Sequence, residues 1–157
     1  MSMNDILLNQ VNSLSKEEDL IAALSNVSAL LNEHFTSINW IGFYFLKQDA
    51  LVLGPFQGKV ACSKIKLTEG VCGHCATTKH SIIVDNVHEF KGHIACDNAS
   101  NSELVVPILH NNEVLALIDV DSYKYANFHL EDQLLLEEVA NILAKNQYQN
   151  FVCYNQL

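Results

Sequence analysis

The chain has 157 residues, 49% apolar and 17% charged, with a formal net charge of −9. That length buries a sizeable core without disulfides or a structural metal, and the composition excludes a disordered chain. The acidic balance argues against nucleic acid and against anionic membrane surfaces, both of which need a basic patch.

The start, MSMNDILLNQ, has no basic segment followed by an apolar one, so no secretory signal is expected. No run approaches the ~20 apolar residues that cross a bilayer. The expected location is cytoplasmic, and one domain over 1–157 is the default. Ser15-Lys-Glu-Glu18 spells a capping box, and Leu20, Leu24, Val27 and Leu31 follow at helical spacing; a helix over about 16–34 is predicted. Ile38–Leu46 is aromatic and β-branched throughout, which predicts a strand buried on both faces. Ala50–Leu53 reads as its hairpin partner, ended by Gly54-Pro55. Residues 62–67 alternate as a third strand, Gly70–Thr78 reads as a short helix, and Ser81–Val84 as a short strand.

Residues 86–101 lack periodicity and form a long loop, a feature that is usually functional or disordered. Glu103–Leu109 and Val114–Asp121 are strands joined by a turn at His110–Asn112. A last helix runs over about 130–148. Hairpins dominate and no strand–helix–strand unit appears, so the fold class is α+β, an antiparallel sheet with helices packed on it.

Five cysteines stand at 62, 72, 75, 96 and 153. In a reducing compartment they are packed small side chains or reactive thiols, not a disulfide framework. Cys72 and Cys75 spell the Cys-Gly-His-Cys of a disulfide-exchange site. Such a site needs a central strand running into a helix whose N-terminus lowers the first thiol's pKa. The short helix meets part of that condition, but no strand–helix–strand frame surrounds it. Structural zinc needs four Cys/His ligands, and no second close pair accompanies this one. Cys75 reads as packed, and Cys153 as part of a tail beyond the last helix.

Asp119 and Asp121 lie two apart on one strand and share a face with Leu115 and Leu117, an apolar stripe ending in two carboxylates. Glu103 opens the neighbouring strand. Crowded carboxylates raise one another's pKa, so one can hold a proton near neutrality. Trp40 and Tyr44 share a face with Gly42 between them; the rings read as core or as two walls of a gap fit for an S-methyl group.

The stretches NWIGFY (39–44), LGPFQGKVAC (53–62), GVCG (70–73), GHIACD (92–97), SNSE (100–103) and DVDS (119–122) closely resemble the free methionine-(R)-sulfoxide reductases, single GAF-domain enzymes. The likeness runs over about 15–145. It implies a GAF-like fold, an antiparallel sheet flanked by helices with a small-molecule pocket roofed by loops. It implies reduction of free L-methionine (R)-S-oxide to L-methionine. It places the nucleophile at Cys96, the main resolving thiol at Cys62 and an auxiliary one at Cys72. It places Glu103, Asp119 and Asp121 in the active site, with Glu103 the first choice of proton donor, and moves Trp40 and Tyr44 to the pocket wall. No metal or bound cofactor is implied; the electrons come from an external thiol reductant such as thioredoxin. Cys75 departs from the pattern, which has a small residue there, and leaves a Cys72–Cys75 bridge open. His93 reads as a loop hydrogen-bonder. The oligomeric state stays open, a homodimer included. The rival functions are a GAF sensor that binds a metabolite without turnover and a general thiol–disulfide exchanger.

Overall fold

The computed structural model describes residues 1–92 and 99–157. In chain order the elements are α1 (Met3–Leu14), α2 (Leu20–His34), β1 (Ile38–Lys47), β2 (Ala50–Gly58), β3 (Lys64–Lys66), α3 (Gly70–Thr78), β4 (Ile82–Val84), a 3-10 turn (Val87–Glu89), β5 (Ser102–His110), β6 (Glu113–Ser122) and α4 (Leu130–Asn155). The strands form one sheet in the order β3-β2-β1-β6-β5-β4, every neighbouring pair antiparallel. This is the antiparallel sheet flanked by helices that the sequence implied.

Both faces of the sheet are apolar and each carries its own core. On one face Ile41, Phe43 and Phe45 of β1 and Leu104, Val106 and Ile108 of β5 meet α1, α2 and α4 through Val11, Leu24, Leu136 and Phe151. On the other, Trp40, Tyr44, Val105 and Leu117 meet α3 through Val71, Cys72 and Cys75. Alternation along each strand sorts the side chains between the two cores.

Several sequence expectations shift at their edges. The capping box lies one element earlier than Ser15: Ser2 Oγ accepts from the Asp5 amide and Asp5 Oδ2 accepts from the Ser2 amide, opening α1. Leu7 and Val11 are its buried stripe. Ser15 closes α1, and α2 starts at Leu20 with Asp19 as its cap. β2 runs through Gly54-Pro55 because the pairing slips there. Gly42 opposes Phe56 and Tyr44 opposes Leu53, so Gly54 and Pro55 both face Phe43 and the proline takes no ladder position. A second irregularity in β5–β6 turns Leu115 into the helix-covered core, away from Leu117 and Asp119. The stripe expected on β6 therefore begins at Leu117. α4 extends to Asn155, so Cys153 is helical and exposed instead of lying in a tail. The β5–β6 turn has Asn111 and Asn112 at φ of 49° and 63°, the left-handed pair of a two-residue hairpin.

Candidate active site

The antiparallel register builds the site in rows across the sheet, on the face that α3 covers. One row reads Trp40, Asp121, Glu103, Val84; the next reads Gly42, Asp119, Val105, Ile82. Three carboxyl groups distant in sequence become neighbours because β6 lies between β1 and β5. Glu103 and Asp119 are buried, at 7% and 5% exposure. Opposed acids on adjacent strands repel when both are charged, so a proton on one of them relieves the repulsion.

Burial, then the charges of Asp119 and Asp121, push the Glu103 carboxyl well above the usual carboxylate range. Burial also raises Asp119, while hydrogen bonds from Glu103 and Cys72 pull it back. The bond between the two acids raises Glu103 and lowers Asp119. A hydrogen bond favours the ionised form of its acceptor and the protonated form of its donor. The two directions favour the proton on Glu103, with Asp119 as its acceptor. Asp119 Oδ1 is buried without a hydrogen-bond partner among the described residues.

Cys72 enters from above, on α3. Its Sγ lies 4.0 Å from Glu103 Oε2. Ligand atoms of Cys72, Glu103 and Asp119 all fall within 4.8 Å of one another, a set able to hold a metal ion. The seat of α3 depends on Gly73: a Cβ there would lie 2.8 Å from the Leu67 carbonyl oxygen and 2.9 Å from that of Lys66. In the sequence Gly73 stands between the two cysteines and in the GVCG stretch, and nothing in its local pattern marks the close approach.

The Cys-Gly-His-Cys motif does not behave as a disulfide-exchange site. Cys72 stands near a helix N-terminus, which favours a thiolate. Burial and the nearby Asp119, Glu103 and Asp121 act the other way and prevail, raising its pKa well above the ordinary thiol value. Burial, then Asp119, raises Cys75 as well. Both are free thiols, so the bridge left open by the sequence is absent from this structure. Cys62, in contrast, is disulfide-bonded.

Trp40 and Tyr44 share the site face but do not flank an open gap. Their rings stack at 5.9 Å, and Phe56 stacks on Trp40 at 5.2 Å. The space above Gly42 is filled, since a Cβ there would lie 2.3 Å from Phe56 Cβ and 2.8 Å from the Trp40 ring. Each ring spends its polar atom on the chain leading to Cys62: Trp40 Nε1 donates to the Lys59 carbonyl at 3.2 Å, and Tyr44 Oη donates to the Cys62 carbonyl at 3.0 Å. The aromatic stack thus fixes the Cys62 segment beside the acids. Phe56 stands in the LGPFQGKVAC stretch, but Gly54-Pro55 hides the strand that carries it and so its place on Trp40.

Cys96 and His93 lie outside the described residues. The chain on either side is tied to the site. The Gly92 carbonyl accepts from the Gly70 amide at the start of α3, at 3.0 Å. Asn39 Nδ2 donates to Ser100 Oγ at 3.1 Å, and the Asn101 amide donates to the Ser122 carbonyl at 2.7 Å. Gly92 is therefore tied to the helix that carries Cys72, and Ser100 and Asn101 to the strands that flank and carry the acids.

A GAF domain family model matches residues 17–146. The free methionine-R-sulfoxide reductase of Escherichia coli is 44% identical over 142 residues, covering 88% of this chain and 86% of that protein. The structure of the reduced fRMsr of Staphylococcus aureus superposes with a TM-score of 0.87 at 43% identity, covering 93% and 96% of the two chains. The free methionine-R-sulfoxide reductase of Neisseria meningitidis in complex with its substrate superposes with a TM-score of 0.89 at 36% identity, covering 96% and 92%. With that coverage and identity, and with the same fold beneath, the chain belongs to the GAF domain family and, within it, to the free methionine-R-sulfoxide reductases.

Proposed function

We propose that the protein reduces free L-methionine (R)-S-oxide to L-methionine with a cysteine thiolate, and that Glu103 supplies the proton. The observation that carries the reading is the buried Glu103–Asp119 pair, in which burial and the neighbouring acids push Glu103 well above the usual carboxylate range while a hydrogen bond offsets part of the rise in Asp119. Sulfoxide sulfur is a poor electrophile until its oxygen is protonated, and general acid catalysis of such a step contributes ~10²–10⁴-fold.

In the proposed cycle the Cys96 thiolate attacks the sulfoxide sulfur as Glu103 protonates the oxygen. Methionine departs and Cys96 is left as the sulfenic acid, the thiol having supplied two electrons. Cys62 condenses with it, releasing water and forming a disulfide. A dithiol of the thioredoxin type then reduces that disulfide by exchange. The disulfide-bonded state of Cys62 supports its role as resolving thiol. Cys72 is the poorer candidate, because its buried thiol resists ionisation beside three acids. Asp119 and Asp121 keep the Glu103 proton in place, and Trp40 and Tyr44 form the stacked wall. No metal or bound cofactor enters the cycle, and an enclosed cup admits the free amino acid but not a peptide backbone.

An epimer-resolved turnover assay with dithiothreitol or thioredoxin tests this. Wild type is expected to consume only the R form and Cys96→Ser neither. Binding without methionine production would instead indicate a sensor, and equal consumption of both epimers would overturn the cup.

A further inference from the structure

We infer that Cys72, Glu103 and Asp119 form a binding site for a thiophilic divalent cation, with Zn²⁺ the best fit, and that this ion competes with the substrate. The donor set is one thiol and two carboxylates on three different elements, with ligand atoms within 4.8 Å of one another. Zinc bonds of about 2.0–2.3 Å to oxygen and sulfur place tetrahedral ligands about 3.5 Å apart. Cys72 Sγ and Glu103 Oε2 already stand 4.0 Å apart, so closure onto an ion needs only sub-ångström side-chain adjustments.

An independent observation points to a ligand in the same place. Asp119 is 95% buried by its 5% exposure, yet its Oδ1 lacks a hydrogen-bond partner among the described residues. A buried carboxylate oxygen left in that state is costly, and a cation bound at the cluster satisfies it. Three protein ligands leave the fourth tetrahedral position to water, the pattern of an open rather than a structural site. The thiol favours Zn²⁺ over Mg²⁺ or Ca²⁺, which prefer all-oxygen shells. On binding, the Cys72 Sγ–H and Glu103 O–H bonds break, both protons leave to solvent, and the sulfur–metal and oxygen–metal bonds form; no electrons move. The competition with substrate rests on the proposed function, whereas the metal site stands on the cluster alone.

The test uses oxidised protein carrying Cys153→Ser. That keeps Cys62 in its disulfide and removes the exposed thiol of α4. Cadmium titration is expected to give the ultraviolet cadmium–thiolate band at one ion per chain. Cys72→Ser in the same background is expected to abolish it, and Asp119→Asn to weaken Zn²⁺ about tenfold or more in competition with a chromophoric chelator. Thermal unfolding of each variant identifies any that fails to fold; if Cys72→Ser does, the Asp119→Asn comparison and the band in the parent protein still decide. No cadmium band in the parent, a band retained in Cys72→Ser, or an unchanged affinity in Asp119→Asn would each overturn the site. R-epimer turnover measured without metal reports the catalytic reading separately. With turnover established, Zn²⁺ is expected to raise KM and leave kcat unchanged; a fall in kcat alone would overturn the competition.

Discussion

At the scale of single residues, the decisive feature is a carboxyl group placed where it cannot easily ionise. Glu103 sits under α3 with two acids beside it, and burial dominates its upward shift. Two outcomes follow with opposite signs. Glu103→Gln removes the proposed proton donor and is expected to lower kcat/KM for the R-sulfoxide by ~10²-fold or more, measured in steady-state assays. The same variant is expected to be more stable at pH 8. A carboxyl whose folded pKa lies above its unfolded value binds more protons in the native state. Its contribution to stability is therefore full below the unfolded carboxylate pKa and is lost as pH rises through the folded one. Melting wild type and Glu103→Gln at pH 5 and pH 8 checks this. The difference should favour the variant more at the higher pH, and a gap that does not change with pH would contradict the assignment. Glu103 as proton donor also predicts that wild-type kcat/KM declines on the alkaline side as the carboxyl ionises.

At the scale of elements, α3 brings chemistry to a sheet that otherwise offers only acids. Its Gly73 packs against the carbonyl oxygens of Lys66 and Leu67, and these backbone atoms cannot swing aside. Gly73→Ala is expected to cost ~1–3 kcal/mol of stability. It should also lift Cys72 away from Glu103 and reduce Zn²⁺ binding. Denaturant unfolding checks the first effect and the cadmium–thiolate band the second. The β2 strand shows the complementary lesson. Gly54-Pro55 reads as a strand end because proline cannot donate to a ladder. Yet pairing with β1 opens a bulge at that point and carries the strand on to Gly58, placing Phe56 on Trp40.

At the scale of the whole molecule, the helical layer on the far face holds the sheet whose other face carries the candidate site. Gln147 of α4 is buried and donates to the carbonyls of Ser15 and Glu17, in the link between α1 and α2. Its neighbour Asn146 donates to Asn12 Oδ1 and Ser15 Oγ. Gln147→Ala leaves these carbonyls without their donor and is expected to cost ~1–3 kcal/mol in chemical denaturation. The R-sulfoxide KM should stay within about twofold, since nothing on the site face moves. Among the described residues, no helix is long and apolar enough to cross a membrane.

Local pattern by itself determined most element types: the periodic stripe of α2, the β-branched run of β1, the paired asparagines of the β5–β6 turn, and the limits of α3. The quoted motifs also carried the family. These signals are legible because backbone preference and hydrophobic period act over a few residues. Tertiary structure decided the rest. The length of β2 and the turn of Leu115 into the helix-covered core depend on bulges that exist only in pairing. The stacking of Trp40 on Phe56, and its hold on the Lys59 carbonyl, join residues no period connects. Above all, the raised pKa of Glu103 is no property of its neighbours in sequence. It arises because β6 lies between β1 and β5 while α3 excludes water above them, so that acids from separate strands share one dry space.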